Sequence, residues 1–111
     1  MDKKIIAVDF DGTLVTDEYP IIGSPNLDLI SFIKRNRDNY IFILYTMRHG
    51  ASLENAKLYL KQQFDLEFDY VNENAQHLVD KFGDTRKVYA DYYIDDKNLT
   101  LENWSTILNE K

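Results

Sequence analysis

The sequence predicts a single α/β domain, a doubly wound parallel sheet with helices on both faces. Four short segments are apolar at nearly every position, which is typical of strands that a parallel sheet buries on both sides. Amphipathic segments with helical spacing separate them, as in alternating α/β folds. With 111 residues, the chain is large enough for one domain with a modest core but too short for two. We therefore expect one Rossmann-like domain over residues 1–111.

The four predicted strands are rich in β-branched and aromatic residues. They cover Lys4–Phe10, Tyr40–Tyr45, Leu66–Val71 and Tyr92–Asp95. Because crossovers between parallel strands are right-handed, the intervening helices give a doubly wound layer. In such a sheet, ligands bind beyond the carboxyl ends of the strands, near the point where the strand order reverses. Those strand ends are where we expect the functional residues.

Two helices are predicted in the first two-thirds of the chain. Ser24 is a suitable N-cap with Pro25 at the first helical position, and apolar residues follow at helical spacing. Ser52 is placed to cap a second helix. The apolar positions are Leu27, Ile30 and Ile33 in the first helix and Leu53, Ala56, Leu60 and Phe64 in the second.

Two further helices are predicted in the last third of the chain. A brief one over Glu73–Phe82 ends at Gly83, because glycine readily adopts the left-handed conformation that closes a helix. The last helix, Leu101–Leu108, follows Thr100 as its N-cap and places Trp104 on its apolar face. No linker, repeat or low-complexity tract interrupts the series of elements.

The composition excludes several classes of protein. An apolar content of 44% with 14% aromatic residues excludes a disordered chain, and the lack of cysteine excludes disulfides and thiolate chemistry. A net charge of −6 weighs against binding to extended nucleic acid, which needs a basic surface. No apolar stretch approaches the ~20 residues of a membrane span, and the run Ile5–Val8 is too short for a signal peptide. We expect a cytoplasmic protein without a membrane partner.

The first predicted strand ends in two carboxylates. In an extended chain residues i and i+2 share a face, so Asp9 and Asp11 can point together while Phe10 enters the core. Gly12 permits a sharp exit that brings backbone groups close to a ligand. The structural alternative, a strand end followed by a turn, needs no ligand at all.

The other predicted strand ends carry further polar residues. Thr46 ends the second strand, the pair Asp95-Asp96 ends the last, and Lys87 lies eight residues before Asp95. Clustered carboxylates repel, and Mg²⁺ is suited to neutralise them together with a substrate phosphate. A carboxylate can attack phosphorus and a second carboxyl can move the protons, while a hydroxyl and an ammonium stabilise the phosphoryl oxygens. Taken singly, Thr46 could be only a strand residue and Asp95-Asp96 only a turn.

Together these residues resemble the haloacid-dehalogenase-like (HAD) superfamily of phosphotransferases over nearly the whole chain. The first motif of that superfamily, Asp-x-Asp-Gly-Thr after an apolar strand, is matched by Asp9–Thr13. Thr46 matches the second motif, Lys87 the third, and Asp95-Asp96 the fourth. The resemblance implies a Mg²⁺-dependent phosphatase that hydrolyses a phosphate monoester through an aspartyl-phosphate.

The resemblance also implies a role for each acidic residue. Asp9 would be the nucleophile and Asp11 the general acid and base. Mg²⁺ would be held by Asp9, by the main-chain carbonyl of Asp11, and by Asp95, Asp96 or both.

The resemblance further implies that Thr46 binds the phosphoryl group and that Lys87 offsets the charge of nucleophile and phosphate. Lys57 and Lys81 are rival candidates for the lysine. Arg48 and His49 follow the second motif, and we expect them either to contact substrate or to be solvated loop residues.

The spacing of the motifs leaves no room for an inserted cap domain. There are 32 residues between Thr13 and Thr46 and 40 between Thr46 and Lys87. A βαβ unit takes roughly 30 residues, and predicted helices already fill both gaps. An open site suggests a bulky substrate, a covering partner or a lid from a second subunit of a homo-oligomer.

The substrate is expected to be a phosphorylated small molecule, such as a sugar or nucleotide, or the terminal phosphate of a larger molecule. For a terminal phosphate, Arg48, Arg86 and Lys97 would supply a small basic patch.

Two other function classes are compatible with part of the pattern. A signalling receiver domain also gathers Asp, Thr and Lys around Mg²⁺, but its phospho-acceptor ends a middle strand, where this chain has Val71-Asn72. Its acidic pair closes the first strand, whereas Asp95-Asp96 closes the last. A non-catalytic phosphate-binding module is the second alternative, and the presence of both Asp9 and Asp11 argues against it.

Overall fold

A computed structural model describes residues 3–73, 75–76, 79–80 and 89–95. Four strands in this part of the chain form one parallel sheet with the order β3-β2-β1-β4, and two helices connect the first three strands. In chain order the elements are β1 Lys4–Val8, α1 Leu27–Arg35, β2 Tyr40–Leu44, α2 Gly50–Phe64, β3 Tyr70–Val71 and β4 Tyr92–Ile94. The predicted parallel α/β fold is confirmed.

Strand β1 lies between β2 and β4 and pairs with both in parallel. All five of its residues pair with β2, from Lys4 opposite Tyr40 to Val8 opposite Leu44. Three of them also pair with β4, ending with Val8 opposite Ile94. The chain therefore builds β2 and β3 on one side of β1 and returns to add β4 on the other. The strand order reverses between β1 and β4, where a ligand site is expected in a doubly wound sheet.

Helices α1 and α2 cover one face of the sheet. Side chains alternate along a strand, so Ile6 and Val8 of β1 point to this face. They pack in one buried cluster with apolar residues from both helices. The contributing helix residues are Leu29, Ile30, Phe32 and Ile33 of α1 and Ala56 and Leu60 of α2, with Leu53 and Phe64 at the edge. The apolar face predicted for α2 is confirmed.

The opposite face of the sheet carries a smaller cluster, in which Ile5, Ala7 and Ile43 pack with Ala75 and Ala90. Residues 76, 79 and 80 are helical, in agreement with a predicted helix over Glu73–Phe82. The rest of that segment, His77 included, and the predicted helix Leu101–Leu108 with Trp104 lie outside the described residues.

Helix α1 starts later than the sequence suggested. Its N-cap is Asn26, whose side-chain oxygen accepts a hydrogen bond from the backbone N–H of Leu29 at 3.2 Å. Pro25 instead forms an antiparallel bridge with Val15, and the carbonyl of Ser24 accepts the N–H of Thr16. This pairing holds residues 24 and 25 in an extended conformation. The prediction of Ser24 as N-cap was therefore wrong.

Helix α2 starts earlier than predicted. His49 is its N-cap, and Ser52 lies in the first turn, where its hydroxyl donates to the carbonyl of His49 at 2.8 Å. Strand β3 is shorter than the predicted Leu66–Val71. The N–H of Leu66 donates to the carbonyl of Leu60 at 3.1 Å and so belongs to the end of α2.

No inserted domain interrupts the segment between Thr13 and Thr46, all of which is described. Within the described residues, no helix is both long enough and apolar enough to cross a bilayer.

Replacement of Asn26 by alanine is expected to lower the free energy of unfolding by about 1 kcal/mol, because alanine cannot accept the N–H of Leu29. Ser24→Ala is the matched control. It is expected to change the free energy of unfolding by less than ~0.5 kcal/mol. The hydrogen bonds of Ser24 involve its backbone carbonyl and N–H, which alanine keeps. Urea titrations of both variants measure the difference. Equal losses would contradict the assignment of Asn26 as the cap.

Candidate active site

The carboxyl ends of the four strands form a row of polar residues. In the order of the strands these are Asn72 directly after β3, Thr46 two residues after β2, Asp9 directly after β1 and Asp95 directly after β4. The backbone N–H of Asp9 donates to the carbonyl of Ile94 at 3.0 Å, so the pairing continues past the strand ends. Asp9 and Asp95 are thus the next residues along neighbouring strands, which lie about 4.8 Å apart. They stand at the point where the strand order reverses.

Asp9 and Asp95 lie on the same side of the sheet. Val8 and Ile94 are opposite each other, and both are buried in the cluster under α1 and α2. Because side chains alternate, the following residues of both strands turn to the other side. One oxygen of Asp9 accepts the N–H of Phe10 at 2.8 Å, which fixes the carboxylate at the strand end. Both acids are partly exposed.

This donor set fits Mg²⁺. The ion takes oxygen ligands and is usually held by one or two carboxylates, waters and substrate phosphate. Asp9 and Asp95 supply two neighbouring carboxylates. No group of three or more acidic, histidine or cysteine side chains that could hold a metal forms within the described residues. Asp96, the other predicted ligand, lies outside the described residues, as does Lys87.

The chain leaves β1 through a tight turn. Phe10 is fully buried, as predicted, and its carbonyl accepts the N–H groups of Thr13, Leu14 and Val15. Gly12 has φ +86°, a left-handed conformation that favours glycine. The sharp exit predicted at Gly12 is confirmed.

Thr46 is held from two sides. Its N–H donates to the side-chain oxygen of Asn72 at 2.8 Å, and its hydroxyl oxygen accepts the N–H of Arg48 at 3.1 Å. A hydroxyl can donate one hydrogen bond besides accepting two. In the described part of the chain the hydroxyl proton of Thr46 makes no hydrogen bond, so it can be donated to a phosphoryl oxygen.

Asn72 was not among the residues that the sequence singled out. Its φ of +53° is a conformation that asparagine tolerates better than most residues. It directly follows β3, so it belongs to the row of polar residues at the strand ends. The local sequence gives no sign that its side chain supports Thr46, since the two lie 26 residues apart.

Arg48 is buried and forms a bidentate ion pair with Asp11. Its Nε and Nη2 groups each donate to one oxygen of the Asp11 carboxylate at 2.8 Å. The Arg48 side chain is 1% exposed and that of Asp11 is 17% exposed. Hydrogen bonding to Asp11 is the largest cause that raises the pKa of Arg48, so the guanidinium stays charged.

The remaining N–H groups of Arg48 bind three backbone carbonyls. Nη1 donates to Pro20 at 3.3 Å and to Ser52 at 3.2 Å, and Nη2 donates to Ile21 at 3.1 Å. The rings of Phe10 and Tyr19 each lie 5.0 Å from the guanidinium carbon. All five donors of the guanidinium are therefore used.

This environment corrects the expectations for Arg48. The alternative of a solvated loop residue is wrong, because the residue is 2% exposed. The role in binding substrate is not supported either, since every donor already has a protein partner. The sequence could not reveal the pair, because Asp11 lies 37 residues away.

The other candidate residues lie at the surface. Lys57 pairs with Glu54 at 3.5 Å along α2 and is 45% exposed, as expected of a helix surface residue. His49 is exposed at the start of α2. Lys81, Arg86 and Lys97 lie outside the described residues.

Exposed apolar side chains surround the Arg48–Asp11 pair. Tyr19, Ile21 and Met47 are 54%, 67% and 93% exposed. The ring of Tyr19 and the carbonyl of Ile21 contact Arg48, and Met47 precedes it in the chain. These three residues are called the apolar rim.

The hydroxyl of Thr13 is buried and has no hydrogen-bond partner in the described part of the chain. Buried hydroxyl groups are usually hydrogen-bonded, so this one is an exception. Thr13 directly follows the turn at Gly12.

No family model and no curated protein sequence matches the chain. Among solved structures, the chain is similar to one described as a conserved protein coded by a locus from Bacteroides thetaiotaomicron. The two are 32% identical, with a TM-score of 0.79, and the alignment covers 96% of this chain and 87% of the other. A similarity of this extent indicates common ancestry as well as a common fold.

Replacement of Thr13 by valine is expected to leave the free energy of unfolding unchanged or to raise it by up to about 1 kcal/mol, because no hydrogen bond is lost. Thr16→Val is the matched control. The Thr16 hydroxyl accepts the N–H of Ser24 at 2.9 Å, and its loss is expected to cost about 1 kcal/mol. Thermal and urea unfolding measure both. A loss above ~1 kcal/mol for the Thr13 variant would mean that its hydroxyl has a partner in solution.

Proposed function

This chain belongs to the same family as the conserved Bacteroides thetaiotaomicron protein, and we propose that it is a Mg²⁺-dependent phosphatase acting on phosphate monoesters. The observation that carries the proposal is the meeting of Asp9 and Asp95 at the switch in strand order, with Thr46 on the adjoining strand end. The resemblance of the chain to the HAD superfamily supports the same reaction.

Asp9 is the proposed nucleophile. Its carboxylate ends the central strand, where pairing with strands on both sides fixes the backbone. A hydrogen bond from the Phe10 N–H to one oxygen orients the carboxylate, which attacks phosphorus. The attack forms an acyl phosphate on Asp9 and releases the alcohol. Water then attacks the phosphorus of the acyl phosphate, which releases inorganic phosphate and restores the carboxylate.

Asp11 is the proposed general acid and base. It donates a proton to the leaving oxygen in the first step and accepts a proton from water in the second. Thr46 donates its hydroxyl proton to a phosphoryl oxygen. Mg²⁺, held by Asp9, Asp95 and the main-chain carbonyl of Asp11, would neutralise charge on the phosphoryl oxygens. Lys87 and Asp96 remain proposed members of the site on the basis of the resemblance.

The sheet order argues against a receiver domain. In the flavodoxin-like order found in receivers, the first strand lies between the second and third. Here β1 lies between β2 and β4, which is the order of the Rossmann-type sheet. In addition, the proposed nucleophile Asp9 follows the first strand, whereas the phospho-acceptor of a receiver ends a middle strand.

The proposed substrate is a small phosphate monoester or the terminal phosphate of a larger molecule. The segment from Thr13 to Thr46 contains no inserted domain that would cover the site. The apolar rim favours a leaving group with an apolar or aromatic portion, because such a group would bury exposed surface of Tyr19 and Met47.

Asp9→Asn and Asp11→Asn are each expected to lower Mg²⁺-dependent release of phosphate from an aryl phosphate by at least ~10³-fold, since one removes the nucleophile and the other the proton carrier. Asp38→Asn, at an exposed position between α1 and β2, is the control and is expected to keep wild-type activity. Absence of wild-type turnover on a broad panel of phosphate esters would refute the proposal. Stable phosphorylation of Asp9 without turnover would support a receiver-like role instead.

Asp95→Asn is expected to raise the Mg²⁺ concentration needed for half-maximal activity by at least ~10-fold, because a charged ligand is lost. Asp91→Asn is the matched control at the other end of β4. Its carboxylate accepts the N–H of Ile5 at 2.7 Å, so the change is expected to reduce stability without altering the Mg²⁺ dependence. Titration of activity with Mg²⁺ separates the two effects. An unchanged midpoint for Asp95→Asn would remove Asp95 from the metal site.

A further inference from the structure

We infer that Arg48 is a positioning residue that fixes the Asp11 carboxylate and the loop of residues 19–21 in one arrangement for proton transfer. The inference rests on the proposed function, in which Asp11 carries the proton. It assigns to Arg48 a part in the reaction that involves no contact with substrate.

The ion pair fixes the orientation of Asp11. Two parallel hydrogen bonds of 2.8 Å hold both carboxylate oxygens in the plane of the guanidinium. A single hydrogen bond would let the carboxyl group rotate, whereas the fork of an arginine does not. Each oxygen keeps a further lone pair, which can accept a proton from water. A proton held at that position can be passed to the leaving oxygen.

Arg48 is itself fixed by three other segments of the chain. Its outer N–H groups bind carbonyls of the loop before α1, at Pro20 and Ile21, and of the first turn of α2, at Ser52. The rings of Phe10 and Tyr19 pack against the guanidinium. With 1% of the side chain exposed, water does not compete for these bonds. The arginine therefore transmits the position of the loop and of α2 to Asp11.

The other bidentate arginine–aspartate pair of the described residues provides a comparison. Arg37 contacts Asp69 at 3.2 and 3.5 Å, and both side chains are 34% exposed. Asp69 accepts the N–H of Phe42, near the middle of β2, rather than standing at the carboxyl edge of the sheet. This pair has the same chemistry as Arg48–Asp11 but lies away from the strand-end row, so it is a suitable control.

The test is a double-mutant cycle on phosphate release. Arg48→Lys keeps the charge but loses the fork, and we expect kcat to fall by about 10²-fold while KM changes less than ~3-fold. Because Arg48 acts through Asp11, adding Arg48→Lys to Asp11→Asn is expected to cause no further loss. Arg37→Lys is expected to leave kcat and KM unchanged.

A second variant covers the case in which Arg48→Lys does not fold. Tyr19→Ala removes one ring from the guanidinium at an exposed position and leaves the ion pair intact. We expect a ~2–5-fold lower kcat, again without effect in the Asp11→Asn background.

The outcomes separate this inference from the proposed function. Wild-type turnover with a normal kcat in Arg48→Lys, or with losses that multiply in the double variant, would overturn the positioning role alone. A folded wild-type protein that lacks turnover would overturn the proposed function and the positioning role with it. A lower kcat in Arg48→Lys when Asp11 is present, with no further loss in the Asp11→Asn background, would support both.

Discussion

The parallel pairing of β1 on both sides is the constraint on which the rest of the structure depends. Because β1 pairs with β2 and β4 in register, the residues that follow each strand are brought to one edge without any contribution from loops. Asp9 thereby stands beside Asp95 and next to the strand that leads to Thr46, although the three lie far apart in the sequence. A site built on strand ends is held more precisely than one built on loops.

The buried Arg48–Asp11 pair is a second constraint, and it is costly. Removing two charges from water carries a penalty that the ion pair offsets only when the remaining hydrogen bonds are made. Here the guanidinium makes all five hydrogen bonds, and two aromatic rings pack against it. A well-packed apolar pair could stabilise the fold as well. Stability alone therefore does not account for this pair, whereas the proposed positioning of Asp11 would.

The sequence predicted the parts of the molecule that depend on local pattern. Apolar runs indicated the four strands, and the residues after β1 and β4 were placed correctly at the sheet edge. The predicted start of α1 was wrong because a non-local contact determines it. Ser24 has the composition of an N-cap, yet pairing with Thr16 draws it into an extended segment and leaves Asn26 to cap α1. At the site, the ion pair of Arg48 could not be predicted from local pattern either. Its partner Asp11 lies 37 residues earlier, and only the fold brings the two together.

Asp9 and Asp11 are separated by one residue but lie in different environments. The proposed chemistry requires this difference in environment. Asp9 still follows the direction of β1 and faces Asp95 across the sheet edge. The chain turns at Gly12, and Asp11 is held by Arg48. In the proposed reaction Asp11 would transfer protons, while Asp9, Asp95 and main-chain oxygen would bind the metal. Two carboxyl groups in one site can take different roles when their surroundings differ. The division of roles between Asp9 and Asp11 thus follows from one turn and one arginine.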